Sequence, residues 1–229
     1  MFAPVARFGT IRSLIALGVQ RNMSIHQMDV STAFLNGVLK EDIYMEQPDG
    51  YKVKGKEHLV CKLQKSLYGL KQSPRCWYEE LSTHLIHTGY TQSKADPCVF
   101  FLWKEGKLTV VSIYVDDLIL LADLMKSMMD LKDSLSGRFK MKDMGELGFC
   151  LGIGVKHGSN FVQLQQRQYI KNLLDRFNMS EAYPVATPAD SGVTLTAADE
   201  SSKLADQRLY QQIVGNTQRE VLVQIFPSS

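Results

Sequence analysis

Residues 108–122, LTVVSIYVDDLILLA, constrain the fold more than any other stretch of the chain. Two apolar runs of strand length flank a pair of adjacent carboxylates, Asp116 and Asp117. Val, Ile and Leu in such runs suit buried sheet positions. Acids in the same interior are costly without a compensating charge. The spacing therefore predicts a tight hairpin with the two acids at or beside its tip, because Asp tolerates turn geometry. Carboxylates at the end of a stiff hairpin suit Mg²⁺, which takes oxygen ligands and keeps water and phosphate as its others. A solvated hairpin whose acids bind nothing fits the same residues, so a further acid has to decide.

Composition excludes little. The chain has 229 residues, 45% hydrophobic and 22% charged, with a net charge of +2. That suits one sizeable core or two small ones and carries no global polyanion signal. Locally, Lys52, Lys54, Lys56, Lys62, Lys65, Lys71 and Arg75 stand against a single acid, Glu57, between residues 51 and 75. This stretch is either a solvated basic loop or an edge that faces phosphate. The four cysteines are far apart and form no CxxC, which fits reduced thiols in a cytosolic or nuclear protein. No signal segment opens the chain and no run is long enough to span a membrane, so no membrane role is expected.

Along the chain, apolar spacing predicts helices over residues 10–22, 73–88, 124–138, 166–178 and 206–214. Met125, Met128, Leu131 and Leu135 face inward in the third of these. Ser73 as N-cap with Pro74 at the first helical position starts the second, and Gly89 stops it. Strands are expected over 25–30, 43–46, 59–62, 98–103, 108–115, 118–122, 149–156 and 161–165, with a short helix within 31–39. Residues 181–205 read as a linker. Tight turns join the strand pairs, so the expected fold is α+β, an antiparallel sheet backed by helices on one face.

Asp29 closes the apolar strand 25–30 much as Asp116 ends 108–115. If those strands are neighbours, Asp29, Asp116 and Asp117 meet at one sheet end, where three carboxylates repel unless cations share the site. Two divalent ions ~3.5–4 Å apart clamp the attacking and leaving oxygens of an in-line phosphoryl displacement. A surface strand end is the plainer account of Asp29.

Eight segments taken together carry a resemblance: FAPVAR at 2–7, HQMDVSTAFLNG at 26–37, IYMEQPDGY at 43–51, SLYGLKQSPRCWY at 66–78, SKADPCVF at 93–100, YVDDL at 114–118, KMKDMGEL at 140–147 with LGI at 151–153, and YPVATP at 183–188. In this order they resemble the reverse transcriptase domain of copia-type LTR retrotransposons, part of a Pol polyprotein. The resemblance implies a polymerase palm with partial fingers over residues 1–180. Asp29, Asp116 and Asp117 match its catalytic aspartates. Two Mg²⁺ ions, with Mn²⁺ as a substitute, are implied on these acids and on the carbonyl of Val30. Phe34 matches the aromatic under the incoming sugar that excludes a ribose 2′-hydroxyl; core packing is its plainer role. Tyr68, Gly69, Lys71 and Gln72 match the nucleotide-binding segment. Leu151, Gly152 and Ile153 match the hairpin that positions the primer end, although Gly154 stands where an acid is usual and Cys150 where an aromatic is usual.

The implied reaction is RNA-directed DNA polymerisation: template-directed transfer of a deoxynucleotide to a primer 3′-hydroxyl. The implied partners are an RNA or DNA template with primer and dNTPs, in the cytoplasm within a virus-like particle or in the nucleus. The oligomeric state is not set by these motifs. The family's basic fingers segment and its ribonuclease H domain are expected to be missing, and residues 206–229 to form a truncated, divergent tail. The chain on its own is thus expected to polymerise poorly, with an inert nucleic-acid-binding remnant as the alternative.

Overall fold

The computed structural model describes residues 3–158, 161–185, 192, 206–217 and 223–225. These fall into two units, the first ending at Leu147 and the second running from Gly148 to Ile225.

The first unit opens with α1 (Phe8–Gln20), whose Ile11 and Ile15 are buried one turn apart. β1 (Ser24–Val30) follows, then a 3-10 turn over Ala33–Asn36. β2 (Val38–Glu46) and β3 (Val60–Lys65) form a two-stranded sheet of their own, longer than their apolar cores suggest. Then come α2 (Ser73–His87), β4 (Thr91–Gln92), β5 (Val99–Lys104), β6 (Lys107–Tyr114), β7 (Asp117–Ala122), α3 (Met125–Arg138) and β8 (Met141–Glu146). The main sheet has the order β4-β5-β6-β7-β1-β8, with every pair antiparallel. The fold class is α+β, as expected.

One expectation needs correction: helices pack on both faces of this sheet. A Cβ added to Gly18 would lie 2.7 Å from Ile25 Cδ1, so α1 rests on the face that Ile25 presents. The next residue, His26, brings Nδ1 to 2.7 Å from Lys132 Nζ of α3. Side chains alternate along a strand, so α3 lies on the opposite face. The run Leu118–Ala122 is buried at every position, which only a doubly covered strand achieves; a strand with one wet face would alternate.

Helix boundaries shift slightly. Gln72 is the N-cap of α2, and Ser73 is its first residue, with the hydroxyl turned back onto the Leu67 carbonyl. Gly89 takes φ +95 just past the helix, and Tyr90 donates back to the Leu85 carbonyl at 3.0 Å, a left-handed stop. In α3, Met128, Leu131 and Leu135 are buried as spaced, but Met125 is exposed at the first turn. Lys132 is buried instead, donating to both oxygens of Asp143 at 2.8 Å.

In the second unit, β9 (Phe149–Cys150), β10 (Ile153–His157), β11 (Val162–Gln165) and β12 (Val223–Ile225) form a sheet of order β12-β11-β10-β9. The helices are α4 (Arg167–Arg176) and α5 (Gln207–Thr217). In α4 Leu173 is buried, while Ile170 and Leu174 are exposed. β12 gives residues 223–225 of the tail a partner in β11. Most of the expected linker, 186–191 and 193–205, lies outside the described residues. Among the described residues no helix is long and apolar enough to cross a membrane.

Candidate active site

Three strands bring the acids together. β1 pairs with β7 so that Asp29 faces Asp117 across the ladder, and β6 pairs with β7 so that Tyr114 faces Asp117. Val115 and Asp116 are left as a two-residue loop, the tight hairpin that the sequence demands. The Val30 N–H donates to the Asp116 carbonyl at 3.0 Å, tying the loop to β1. Asp29, Asp116 and Asp117 thus share one end of the main sheet, each half-buried. Burial pushes the Asp116 carboxyl above its ordinary range. Repulsion from Asp29 and Asp117 adds to this, and a backbone hydrogen bond offsets part of it.

The loop is strained. Val115 has φ +57, and hairpins with a positive φ at the first loop position normally place Gly there. A β-branched residue in that conformation costs ~1–3 kcal/mol. Trp77 of α2 braces it: its indole Nε1–H donates to the Val115 carbonyl at 2.7 Å, and the ring is 1% exposed. Gln27 braces the other side. Its amide nitrogen donates to Asp117 Oδ1 at 2.9 Å. An ionised carboxylate only accepts, so the nitrogen must be the atom that faces it. Sequence reasoning missed both roles. Gln27 had a signal, a polar residue two before Asp29 and hence on the same strand face. Trp77 had none, since its partner is a main-chain oxygen 38 residues away.

On the same cleft wall as Val115, Phe34 sits in the 3-10 turn with its ring tilted 53° against Tyr68, centroids 4.8 Å apart. The Ser66 hydroxyl donates to the Phe34 carbonyl and locks the two segments together. Gly69 takes φ +96 with open space around it, so the backbone is accessible where a side chain would stand. Lys71 is exposed, and Gln72 caps α2. Phe34, Lys71, Pro74, Trp77 and Val115 share the wall of one mostly apolar cleft of about 290 Å³. In the second unit, Leu151 and Gly152 form the two-residue turn between β9 and β10, with φ +51 and +82, and Ile153 starts β10. Both positive angles match the turn type that two-residue hairpins favour.

The basic stretch is partly neutralised by acids outside its own window. Lys62 pairs with Asp42 at 2.6 Å, Lys52 with Asp49 at 3.2 Å, and Arg75 with Glu41 and Glu79. Pairing β2 with β3 supplies Asp42 and leaves the stretch less basic than its own window suggests.

Among the described residues no three His, Cys, Asp or Glu side chains gather closely enough to hold a metal ion by themselves. The donor set still fits Mg²⁺, which commonly uses one or two carboxylates and takes its other ligands from water and substrate phosphate.

An antiparallel α+β domain with three aspartates at one sheet end belongs among the candidates for metal-assisted phosphoryl chemistry. Comparison with known proteins narrows this. The chain belongs to the reverse transcriptase (RNA-dependent DNA polymerase) family, whose description matches residues 1–191. It is 42% identical over 191 residues to the retrovirus-related Pol polyprotein from transposon TNT 1-94 of Nicotiana tabacum, covering 82% of this chain and 14% of that protein. It is 40% identical over 217 residues to the corresponding polyprotein from transposon RE1 of Arabidopsis thaliana, covering 95% of this chain and 15% of that one. A transposon Ty5-1 protein of Saccharomyces cerevisiae is 31% identical over 82% of this chain and 61% of its own length. The chain thus spans about a seventh of the plant polyproteins it matches.

Proposed function

We propose that this chain is the polymerase palm, with part of the fingers, of a retrotransposon reverse transcriptase, and that Asp29, Asp116 and Asp117 carry RNA-directed DNA synthesis. The observation that supports this most is the pairing of Asp29 with Asp117 across β1 and β7, with Asp116 in the adjoining loop. Asp29 and Asp116, with the Val30 carbonyl, would hold Mg²⁺ or Mn²⁺, and Asp117 would support them. When bound, such ions supply Lewis-acid polarisation of phosphate oxygens and a lowered pKa for the attacking hydroxyl.

The protein's own groups do the positioning. Phe34, wedged on Tyr68, fills the space that a 2′-hydroxyl would need. Lys71 offers a point charge to a triphosphate, and the open backbone at Gly69 lets a base pair approach. The Leu151–Gly152 turn would guide the primer end. Template, primer and dNTPs are the partners on this reading. Charge placement and orientation, rather than covalent chemistry, account for catalysis.

The test is extension of oligo(dT) on poly(rA) with dTTP and Mg²⁺. It is run with the chain as it stands and with the chain joined behind the basic N-terminal segment of a related polymerase. The expected result is extension by the longer form, lost in Asp116→Asn. Duplex binding without extension by either form would favour the inert remnant.

A further inference from the structure

The acids alone do not explain why the Val115–Asp116 loop keeps a backbone shape that suits Gly. Two donors from outside the hairpin meet it on either side of Asp116. Trp77 Nε1 reaches the Val115 carbonyl from α2, and Gln27 Nε2 reaches the Asp117 carboxylate from the adjacent strand β1. Both are buried, Trp77 at 1% and Gln27 at 9% exposure. The indole is itself held edge-on by Phe139, with ring centroids 5.0 Å apart at 84°.

We propose that Trp77 and Gln27 are positioning residues of the metal site: they pin the peptide before Asp116 and the carboxylate after it, and so fix the direction in which Asp116 meets a cation. This inference rests on reading the three acids as a metal site. The chemistry of the two donors fits the task. Neither is charged, so each orients its partner without neutralising the site or competing with the cation. Among the described residues the buried cation, Lys132, is engaged by Asp143. Groups that orient ligands in this way typically change metal affinity by ~10–100-fold when removed.

The experiment is titration of the purified chain with Mn²⁺, read as free Mn²⁺ by electron paramagnetic resonance, with thermal unfolding recorded for every variant. Trp77→Phe keeps the ring and removes the donor; Gln27→Met keeps the shape and removes the donor. Each is expected to weaken Mn²⁺ binding about 10-fold. Adding Val115→Gly to Trp77→Phe is expected to restore binding, because Gly holds the left-handed shape unaided. A packing role for Trp77 would not be rescued in this way.

Wild-type binding by both single variants overturns the proposal, provided that Asp116→Asn has lost binding. Failure of Val115→Gly to rescue removes Trp77 from it. Equal binding by wild type and Asp116→Asn fells the metal-site reading and the proposal with it. Should Trp77→Phe not unfold cooperatively, Gln27→Met decides: unchanged affinity there overturns the clamp.

Discussion

Asp96 and Asp116 are two acids of the same unit held in opposite ways. Asp96 is 3% exposed and accepts from Thr10 Oγ1 at 2.7 Å, the Cys98 N–H at 2.9 Å and the Arg7 N–H at 3.2 Å. Burial pushes its carboxyl up, but these donors outweigh burial and the pKa is lowered. It anchors the start of α1 from a distant loop. Asp116 sits on a strained loop beside two like charges, and its pKa is raised. The first acid has everything it needs from the protein; the second lacks a counter-charge. An acid that the protein satisfies serves architecture, and one left short of counter-charge at a sheet end is a candidate ligand site.

The predictions follow from that contrast. In the form of the chain that extends primers, Asp116→Asn should lower the rate on the order of 10²–10³-fold, with nucleic-acid binding retained. Asp96→Ala should instead leave three donors without an acceptor and cost roughly 2–4 kcal/mol, seen as a fall in Tm of roughly 5–15 °C. If Asp116→Asn unfolds the chain and Asp96→Ala only slows it, the two roles are reversed. Phe34→Val should raise incorporation of ribonucleotides about tenfold relative to deoxynucleotides in the same assay. Unchanged discrimination would return Phe34 to plain packing.

The pH dependence has opposite signs at the two sites. The lowered pKa of Asp96 means that its contribution is complete above the unfolded value near ~3.9 and is lost as pH falls below it. Asp96→Asn should therefore flatten the acid limb of a stability–pH curve. The raised pKa of Asp116 means that ionisation costs stability above that pKa, and the cost disappears as pH falls through it. Asp116→Asn should remove this cost at neutral pH and raise the metal-free Tm slightly, on the order of 1–2 °C after solvent screening.

Much of this was legible in the residues. The run 108–122 specified the hairpin, whereas Asp29 at the end of an apolar strand left its neighbour open, and it is the β1–β7 ladder that brings it to Asp117. The same run held a signal that was not used: without alternation, it implied a sheet covered on both faces. β8 could not be seen, because KMKDMG is polar and its strand character comes from backbone pairing with β1. Residues 223–225 read as part of a divergent tail for the same reason, since β12 exists through its ladder with β11. The Trp77 brace depends on a contact across 38 positions, which no local pattern encodes, and Gln27, whose partner lies 90 positions away, was signalled only by its place two before Asp29.

The most direct test of the central claim is the Tm of wild type, Asp116→Asn and Asp96→Asn, each without Mg²⁺ and with Mg²⁺ at about ten times its dissociation constant. A ligand at that excess stabilises by about 1.4 kcal/mol, or roughly 3–6 °C. Wild type should gain this shift. Asp116→Asn should start slightly higher and gain none, while Asp96→Asn should start lower and still gain it. An Mg²⁺ shift retained in Asp116→Asn, or absent from wild type, would contradict the claim that the acids at this sheet end are built to receive a metal.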